Sequence, residues 1–185
     1  MNIKFIDCNL LNSTCQVLAH QINSFGVWEN NTVAKAIKEK YPEVYKEYMQ
    51  SWEILEGDLF GGELFVKTKD GKYVANITSQ YYCKGVDSEY NMLIKTNSAK
   101  APQLISGVDI YPGVPLRFTN YEALYRGLNK TKRDMLNNDL TSIAFPKNMG
   151  SGEDGGGGSW EIILAMIKET FSDTPYTIEI CNNEK

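Results

Sequence analysis

The feature that most constrains the fold of this chain is a glycine run between a strand-like and a helix-like segment. Six of the nine residues at positions 150–158 are glycine. The run follows an apolar segment at 142–146 and precedes an amphipathic segment at 159–171, which predicts a buried strand, a loop and a helix in succession. Backbone N–H groups in such a loop, next to the positive end of a helix, bind phosphate without a lysine. The alternative is a flexible linker, which four consecutive glycines also fit.

A second loop, at 23–32, follows another short apolar run that ends at His20. Apolar side chains recur at helical spacing from Val33 to Tyr41, and Thr32 stands at the N-cap position. The start of this helix favours an anion, and two such loops at the ends of neighbouring strands would suit a diphosphate. The alternative is an ordinary strand-to-helix turn.

The remaining patterns give an alternating order of elements. An alternating segment at 2–6 predicts an edge strand, and Pro42 opens a second helix that continues to about Trp52. Asp70 and Gly71 lie between two strand-like runs and predict a β-hairpin over 63–79.

Thr119 and Glu122 have the spacing of a capping box for a helix to about 136, and 176–181 predicts a last strand. Strands and helices that alternate in this way predict an α/β fold, with a mixed sheet covered by helices on both faces. In such sheets ligands bind beyond the carboxyl ends of the strands, where both loops lie.

Composition excludes several classes of function. The chain has 185 residues, 42% of them hydrophobic, and a formal net charge of −4, which fits one compact domain without a nucleic-acid-binding surface. The four cysteines show no CxxC spacing and there is a single histidine, so we expect no metal and no cofactor. No apolar run is long enough to span a bilayer and the first residues lack the long apolar core of a signal peptide, so we expect a cytoplasmic protein without a leader.

Two residues are candidates for proton transfer. His20 ends a buried strand at the predicted binding edge, where it is either an acid–base group or a neutral structural histidine. Asp154 in the glycine loop either orients a water molecule or is a solvated carboxylate. Aromatic side chains that either cover a base or sugar or pack inside the protein are Trp28, Tyr81, Tyr82, Tyr90 and Tyr111.

The two loops, in this order, resemble those of the macro domain family. Residues 20–28 with 33–42 look like the first binding loop and helix of the branch that contains terminal ADP-ribose protein glycohydrolase and the small ADP-ribose-1''-phosphate phosphatases. Residues 144–163 look like its second loop and last helix. The resemblance implies a single macro-like domain over 1–185, a three-layer α/β/α sandwich with a central mixed sheet of about six strands and a long insertion at about 81–118.

The resemblance also implies roles for particular residues. Asn9 falls where the family has an aspartate that accepts from the adenine amino group, a bond that an amide carbonyl can also accept. The first loop would face the distal ribose and the glycine loop would wrap the diphosphate, while His20 and Asp154 match functional residues of the phosphatases and the glycohydrolase. The expected ligand-binding residues are Asn9, Asn23, Gly26, Val27, Trp28, Asn31, Gln80, Gly150, Ser151, Gly152, Gly155 and Gly156.

Two departures from the family pattern bear on the activity. A Gly-Ala-Gly segment of the family is replaced by bulkier residues at 29–32, and the reactive lysine of the glycohydrolase aligns with Gln80, which cannot form a covalent adduct. The resemblance therefore implies either hydrolysis of an ADP-ribose derivative by an activated water, or capture of ADP-ribose or a related nucleotide without turnover. A third alternative is a scaffold whose insertion contacts a protein partner.

Overall fold

The computed structural model describes residues 1–24, 28, 32–55, 59–80, 118–151 and 156–182. Within these residues the chain forms six strands, four α-helices and one short 3₁₀-helix. In chain order they are β1 (Asn2–Ile6), the 3₁₀-helix (Leu10–Asn12), β2 (Val17–Asn23), α1 (Thr32–Lys40), α2 (Pro42–Ile54), β3 (Glu63–Lys67), β4 (Tyr73–Gln80), α3 (Tyr121–Asn137), β5 (Ser142–Pro146), α4 (Trp160–Phe171) and β6 (Thr177–Cys181).

The six strands form one mixed sheet in the order β1-β6-β5-β2-β4-β3. Every neighbouring pair is parallel except β3 and β4, which are antiparallel. The β3–β4 pair turns through Gly71, whose φ of 88° is a conformation that glycine adopts without strain. The hairpin predicted from Asp70 and Gly71 is therefore confirmed, as is the placement of β1 at an edge.

Helices cover both faces of the sheet and bury a core on each. On one face α3 and α4 pack on strand residues such as Val17 and Ala75, and on the other α1 and α2 pack on Leu18 and Val74. The alternation of side chains along β2 and β4 sends adjacent residues to opposite faces, so the first residues of these central strands are apolar on both sides. The predicted three-layer α/β/α sandwich with six strands is confirmed.

Two element boundaries differ from the sequence predictions. Strand β2 does not end at His20 but continues to Asn23, because its polar last residues are paired with β4 and buried. The N-cap of α3 is Asn120, whose Oδ1 accepts from the backbone N–H of Ala123 at 2.9 Å. The prediction of a capping box at Thr119 is therefore wrong, and the threonine hydroxyl makes its hydrogen bonds outside this helix.

Most of the predicted insertion, residues 81–117, lies outside the described residues. No helix in the described part of the chain combines the length and apolar character that crossing a membrane requires.

Candidate functional site

The candidate site lies at the edge of the sheet where the parallel strands end. Strands β1, β6, β5, β2 and β4 all run in the same direction, so their carboxyl ends share one edge. The chain leaving β2 passes through α1 and α2 toward β3 and β4 on one side, whereas the chain leaving β5 passes through α4 to β6 on the other. The chain thus leaves these two parallel neighbours toward opposite sides of the sheet. Open α/β sheets bind ligands at such a point of reversal in strand order.

Strands β2 and β5 separate as they approach this edge. Their pairing consists of Val17 with Ile143 and Leu18 with Ala144, although β2 continues to Asn23 and β5 to Pro146. The carboxyl halves of the two strands are thus not joined by a ladder, and both predicted loops begin at these halves. Pairing between the two strands therefore stops before the carboxyl edge, and the expected neighbouring position of the two loops is observed for the residues at which they start.

The first loop is held at its start by helix α2 and strand β4. The Tyr48 hydroxyl donates to the carbonyl of Asn23 at 2.9 Å, and Trp52 Nε1 donates to the carbonyl of Ser24 at 3.0 Å. The backbone N–H of Ser24 donates to the carbonyl of Gln80 at 3.0 Å. Because Asn23 is buried and its carbonyl is engaged, it serves here as an anchor of the loop.

The glycine loop is held by contacts that admit no side chain. At Gly150, where φ is 67°, an added Cβ would lie 1.7 Å from Oε1 of the buried Gln21. At Gly156, with a φ of 103°, it would lie 2.8 Å from Nε2 of Gln80. The glycines at these two positions thus allow the loop to approach the ends of β2 and β4, which a flexible linker would not require.

The two described ends of the glycine loop also pair with each other. Gly158 N–H donates to the carbonyl of Gly150 at 3.0 Å, and Ser151 forms a bridge with Gly158. Helix α4 begins directly afterwards, with the Ser159 hydroxyl as its N-cap. The positive end of a helix of 12 residues therefore follows the loop at the carboxyl edge.

Asn9 lies beyond the end of β1 and is exposed. Its Oδ1 accepts from the backbone N–H of Leu11 at 2.9 Å and caps the 3₁₀-helix. The amide oxygen that the resemblance assigns to adenine recognition is therefore already used in a local turn, although a carbonyl oxygen has a second lone pair.

His20 lies inside the protein on the face covered by α1 and α2. It is 1% exposed, its Nε2 is 2.6 Å from Oδ1 of Asn76, and its ring packs edge-on against Trp28 with centroids 5.7 Å apart. Burial lowers the pKa of His20 to about 4, more than the Asn76 hydrogen bond raises it. This environment favours the neutral structural histidine over the acid–base group.

Trp28 lies in the same core. Its side chain is fully buried and packs on Tyr45 and Tyr48, with centroid distances of 5.3 and 5.2 Å. The buried indole thus anchors the first loop to the core, and it is not placed to cover a base or sugar at the surface.

Several expected site residues lie outside the described residues, so their placement stays a prediction. They are Gly26, Val27, Asn31, Gly152, Asp154 and Gly155, with Tyr81, Tyr82, Tyr90 and Tyr111 among the candidate aromatics. Among the described residues no group of three or more histidine, cysteine or carboxylate side chains could hold a metal. Cys8, Cys15 and Cys181 are free thiols.

The structure also brings in residues that the sequence did not single out. Gln21 and Thr119 lie between the glycine loop and the sheet, with Gln21 Nε2 donating to Thr119 Oγ1 at 3.3 Å. One signal was available, since Gln21 directly follows the apolar run that ends at His20, and a buried glutamine requires a polar partner. No comparable signal marks Thr119, because its spacing to Glu122 matches a capping box.

A mixed sheet of this order between two helix layers, with its polar residues at the point of reversal, is a macrodomain-like α/β fold. The macrodomain of Thermus aquaticus DarG is similar, with a TM-score of 0.67, 18% identity and coverage of 98% of both chains. A Bacteroides thetaiotaomicron protein of unknown function gives a TM-score of 0.73 at 20% identity over 99% of both chains. Thermosipho africanus DarTG, solved in complex with ADP-ribose, gives 0.67 at 15% identity over 97% of this chain and 41% of that one.

Comparison of the sequence with protein-family models and with curated proteins finds no match. At these identities the structural likeness shows the fold alone.

Proposed function

We propose that this protein binds ADP-ribose or an ADP-ribose derivative at the sheet edge, between the carboxyl ends of β2 and β5. The observation that carries the proposal is that these two strands stop pairing before their carboxyl ends, at the point where the strand order reverses. A loop leaves each strand there. A solved structure with the same fold, Thermosipho africanus DarTG, contains ADP-ribose, which supports this class of ligand.

The chemistry of the glycine loop suits the diphosphate of such a ligand. The formal net charge of the chain is −4, so attraction by the molecule as a whole does not favour an anion. Backbone N–H groups and the start of α4 are local partial positive charges that a diphosphate can reach where no side chain intervenes. Gly150 and Gly156, which carry no side chain, let the loop backbone pack closely against the sheet.

Capture without turnover is the function that the described residues support best. Of the two candidate catalytic residues, His20 is buried under Trp28 and has a low pKa. The position that aligns with the reactive lysine of the glycohydrolase holds the buried amide of Gln80. Hydrolysis of ADP-ribose 1''-phosphate or of an ADP-ribosyl conjugate is the second candidate. It is favoured by Asp154, which lies in sequence between the anchored ends of the glycine loop.

Calorimetry with ADP-ribose tests binding itself. We expect saturable binding to the wild-type protein, and weaker binding of AMP, which lacks the second phosphate and the distal ribose. Absence of heat with millimolar ADP-ribose would contradict the proposal.

Release of phosphate from ADP-ribose 1''-phosphate then separates capture from hydrolysis. Capture predicts binding without phosphate release. If the wild type does release phosphate, Asp154→Ala should abolish the release while Asp173→Ala, which removes a carboxylate beyond the far end of α4, should leave it unchanged. Release that survives Asp154→Ala would exclude the aspartate as the base.

A further inference from the structure

We propose that Thr119 is a positioning residue that holds both ends of the glycine loop in place before a ligand arrives. This inference rests on the proposed function, because it concerns the loop assigned to the diphosphate. Thr119 is 1% exposed and lies between the loop and the end of β4. It is therefore out of reach of a ligand and acts through the loop.

The side chain of Thr119 holds the first end of the loop. Its Oγ1 donates to the carbonyl of Gly150 at 2.8 Å and accepts from Nε2 of Gln21 at 3.3 Å. The hydroxyl thus connects the loop to β2 by one donated and one accepted hydrogen bond, which uses both functions of the group. Without the hydroxyl, the buried Gln21 amide would lose this acceptor, a loss that costs stability.

The backbone around Thr119 holds the second end. The N–H groups of Phe118 and Thr119 donate to the carbonyl of Gly156 at 2.8 and 3.0 Å. Thr119 also bridges Gln80 in antiparallel fashion, and Asn120 N–H donates to the carbonyl of Ser79 at 2.9 Å. This short segment pairs alongside the last residues of β4 and gives the loop a fixed support.

Three glycines of the loop pack directly on the threonine side chain. A Cβ added at Gly150 or Gly156 would lie 3.2 or 2.7 Å from Thr119 Oγ1, and one added at Gly158 would lie 3.2 Å from Thr119 Cγ2. The hydroxyl therefore faces Gly150 and Gly156, and the methyl group faces Gly158. This arrangement explains why a β-branched hydroxyl residue suits the position, and why so many glycines surround it.

The consequence for binding is preorganisation. The six glycines of 150–158 would otherwise lose much conformational freedom when a ligand orders them, and that entropy would be subtracted from the affinity. A loop whose two ends are already fixed loses less on binding.

The test compares Thr119→Val, which keeps the shape and removes the hydroxyl, with Thr119→Ser, which keeps the hydroxyl. Thr131→Val is the matched control, because Thr131 is also fully buried and its hydroxyl also donates to a backbone carbonyl, that of Gly127, at 3.0 Å within α3. Two quantities are measured on each variant: the affinity for ADP-ribose, and the hydrogen-exchange rates of the Gly156–Gly158 amides without ligand.

We expect Thr119→Val to weaken ADP-ribose binding about tenfold and to accelerate exchange at Gly158, with most of both effects reversed in Thr119→Ser. Thr131→Val should change neither the affinity nor the exchange rates, even if it lowers the melting temperature as much as Thr119→Val does. Equal losses of ADP-ribose affinity in the two valine variants, or unchanged amide exchange in Thr119→Val, would overturn the positioning role. If the wild type does not bind ADP-ribose, the proposed function fails, and the exchange rates still decide whether Thr119 holds the loop.

Discussion

At the residue scale, the hydrogen bond made by Asn9 decides how it could recognise a base. Its Oδ1 caps the 3₁₀-helix through Leu11 N–H, so an adenine amino group would share this oxygen with the turn. A carboxylate has two oxygens, one for the turn and one for the base, and charge-assisted hydrogen bonds are stronger than neutral ones. Asparagine in place of the aspartate that macro domains have at this position therefore has a predicted cost in affinity.

Asn9→Asp should tighten ADP-ribose binding, by about three- to tenfold, because it frees an acceptor for the adenine amino group. Asn12→Asp adds the same charge to an exposed position of the same short helix and serves as the control. Calorimetry on both variants distinguishes a specific contact from a general effect of charge. Equal changes in the two variants would show that Asn9 does not contact the ligand.

His20 gives a pH-dependent prediction. Its pKa is lowered to about 4 by burial, below the ordinary value of 6.5, so the folded state binds the proton less well than the unfolded state. The stability that this group contributes is fully present above pH 6.5 and is lost as the pH falls toward 4, by about 3 kcal/mol in total.

Because His20 is the one histidine of the chain, its imidazole NMR signal can be followed directly in a pH titration. We expect the ring to stay neutral down to about pH 5, with urea denaturation showing a steeper loss of stability on acidification in the wild type than in His20→Gln. A measured pKa near 6.5 would mean that the ring reaches solvent, and would restore the acid–base role.

At the scale of elements, the glycine loop is shaped by its own contacts as well as by any ligand. Its sequence predicted a phosphate-binding loop or a flexible linker, and the described contacts are with Gln21, Gln80 and Thr119. The strand before it and the helix after it were predictable from apolar periodicity, which is local. The partners of the loop were not, because they come from β2, β4 and the segment before α3, which are distant in sequence.

Gly150→Ala should destabilise the protein more than Gly71→Ala. Both glycines have positive φ, which costs a substituted residue about 1–2 kcal/mol, but nothing lies within 4 Å of a Cβ at Gly71. At Gly150 the new methyl would displace Gln21 and break its bond to Thr119, which adds about 1–3 kcal/mol. Urea denaturation of the two variants measures the difference, and equal costs would contradict the close approach.

The start of α3 shows where a local sequence motif was misleading. Thr119 and Glu122 fit a capping box, yet Asn120 caps the helix because the threonine hydroxyl and N–H are bonded to the glycine loop. Tertiary contacts thus shifted the cap by one residue.

Asn120→Ala should therefore lower the free energy of unfolding by about 1 kcal/mol, since the Ala123 N–H loses its acceptor. Asn120→Ser retains a capping oxygen and should cost less. Urea denaturation of the two variants tests the assignment of Asn120 as the N-cap. An unfolding midpoint of Asn120→Ala equal to that of the wild type would refute it.

At the scale of the whole molecule, the order of strands determines where a ligand can bind. The alternation of strands and helices predicted a mixed sheet between helix layers, and the sheet order β1-β6-β5-β2-β4-β3 places the reversal between β5 and β2. The sequence could predict which loops follow strands, because that depends on local patterns. The separation of β2 from β5 could not be predicted, since it depends on where pairing between distant segments stops.

The most direct test of the central claim is an amide NMR titration of the wild-type protein with ADP-ribose. The account predicts the largest shifts at the carboxyl edge, for Gly150, Ser151 and Gly156 and for the residues next to Asn9, and little change at the opposite edge around Gly71 and Thr141. Shifts concentrated at the hairpin turn, with the carboxyl edge unchanged, would contradict it.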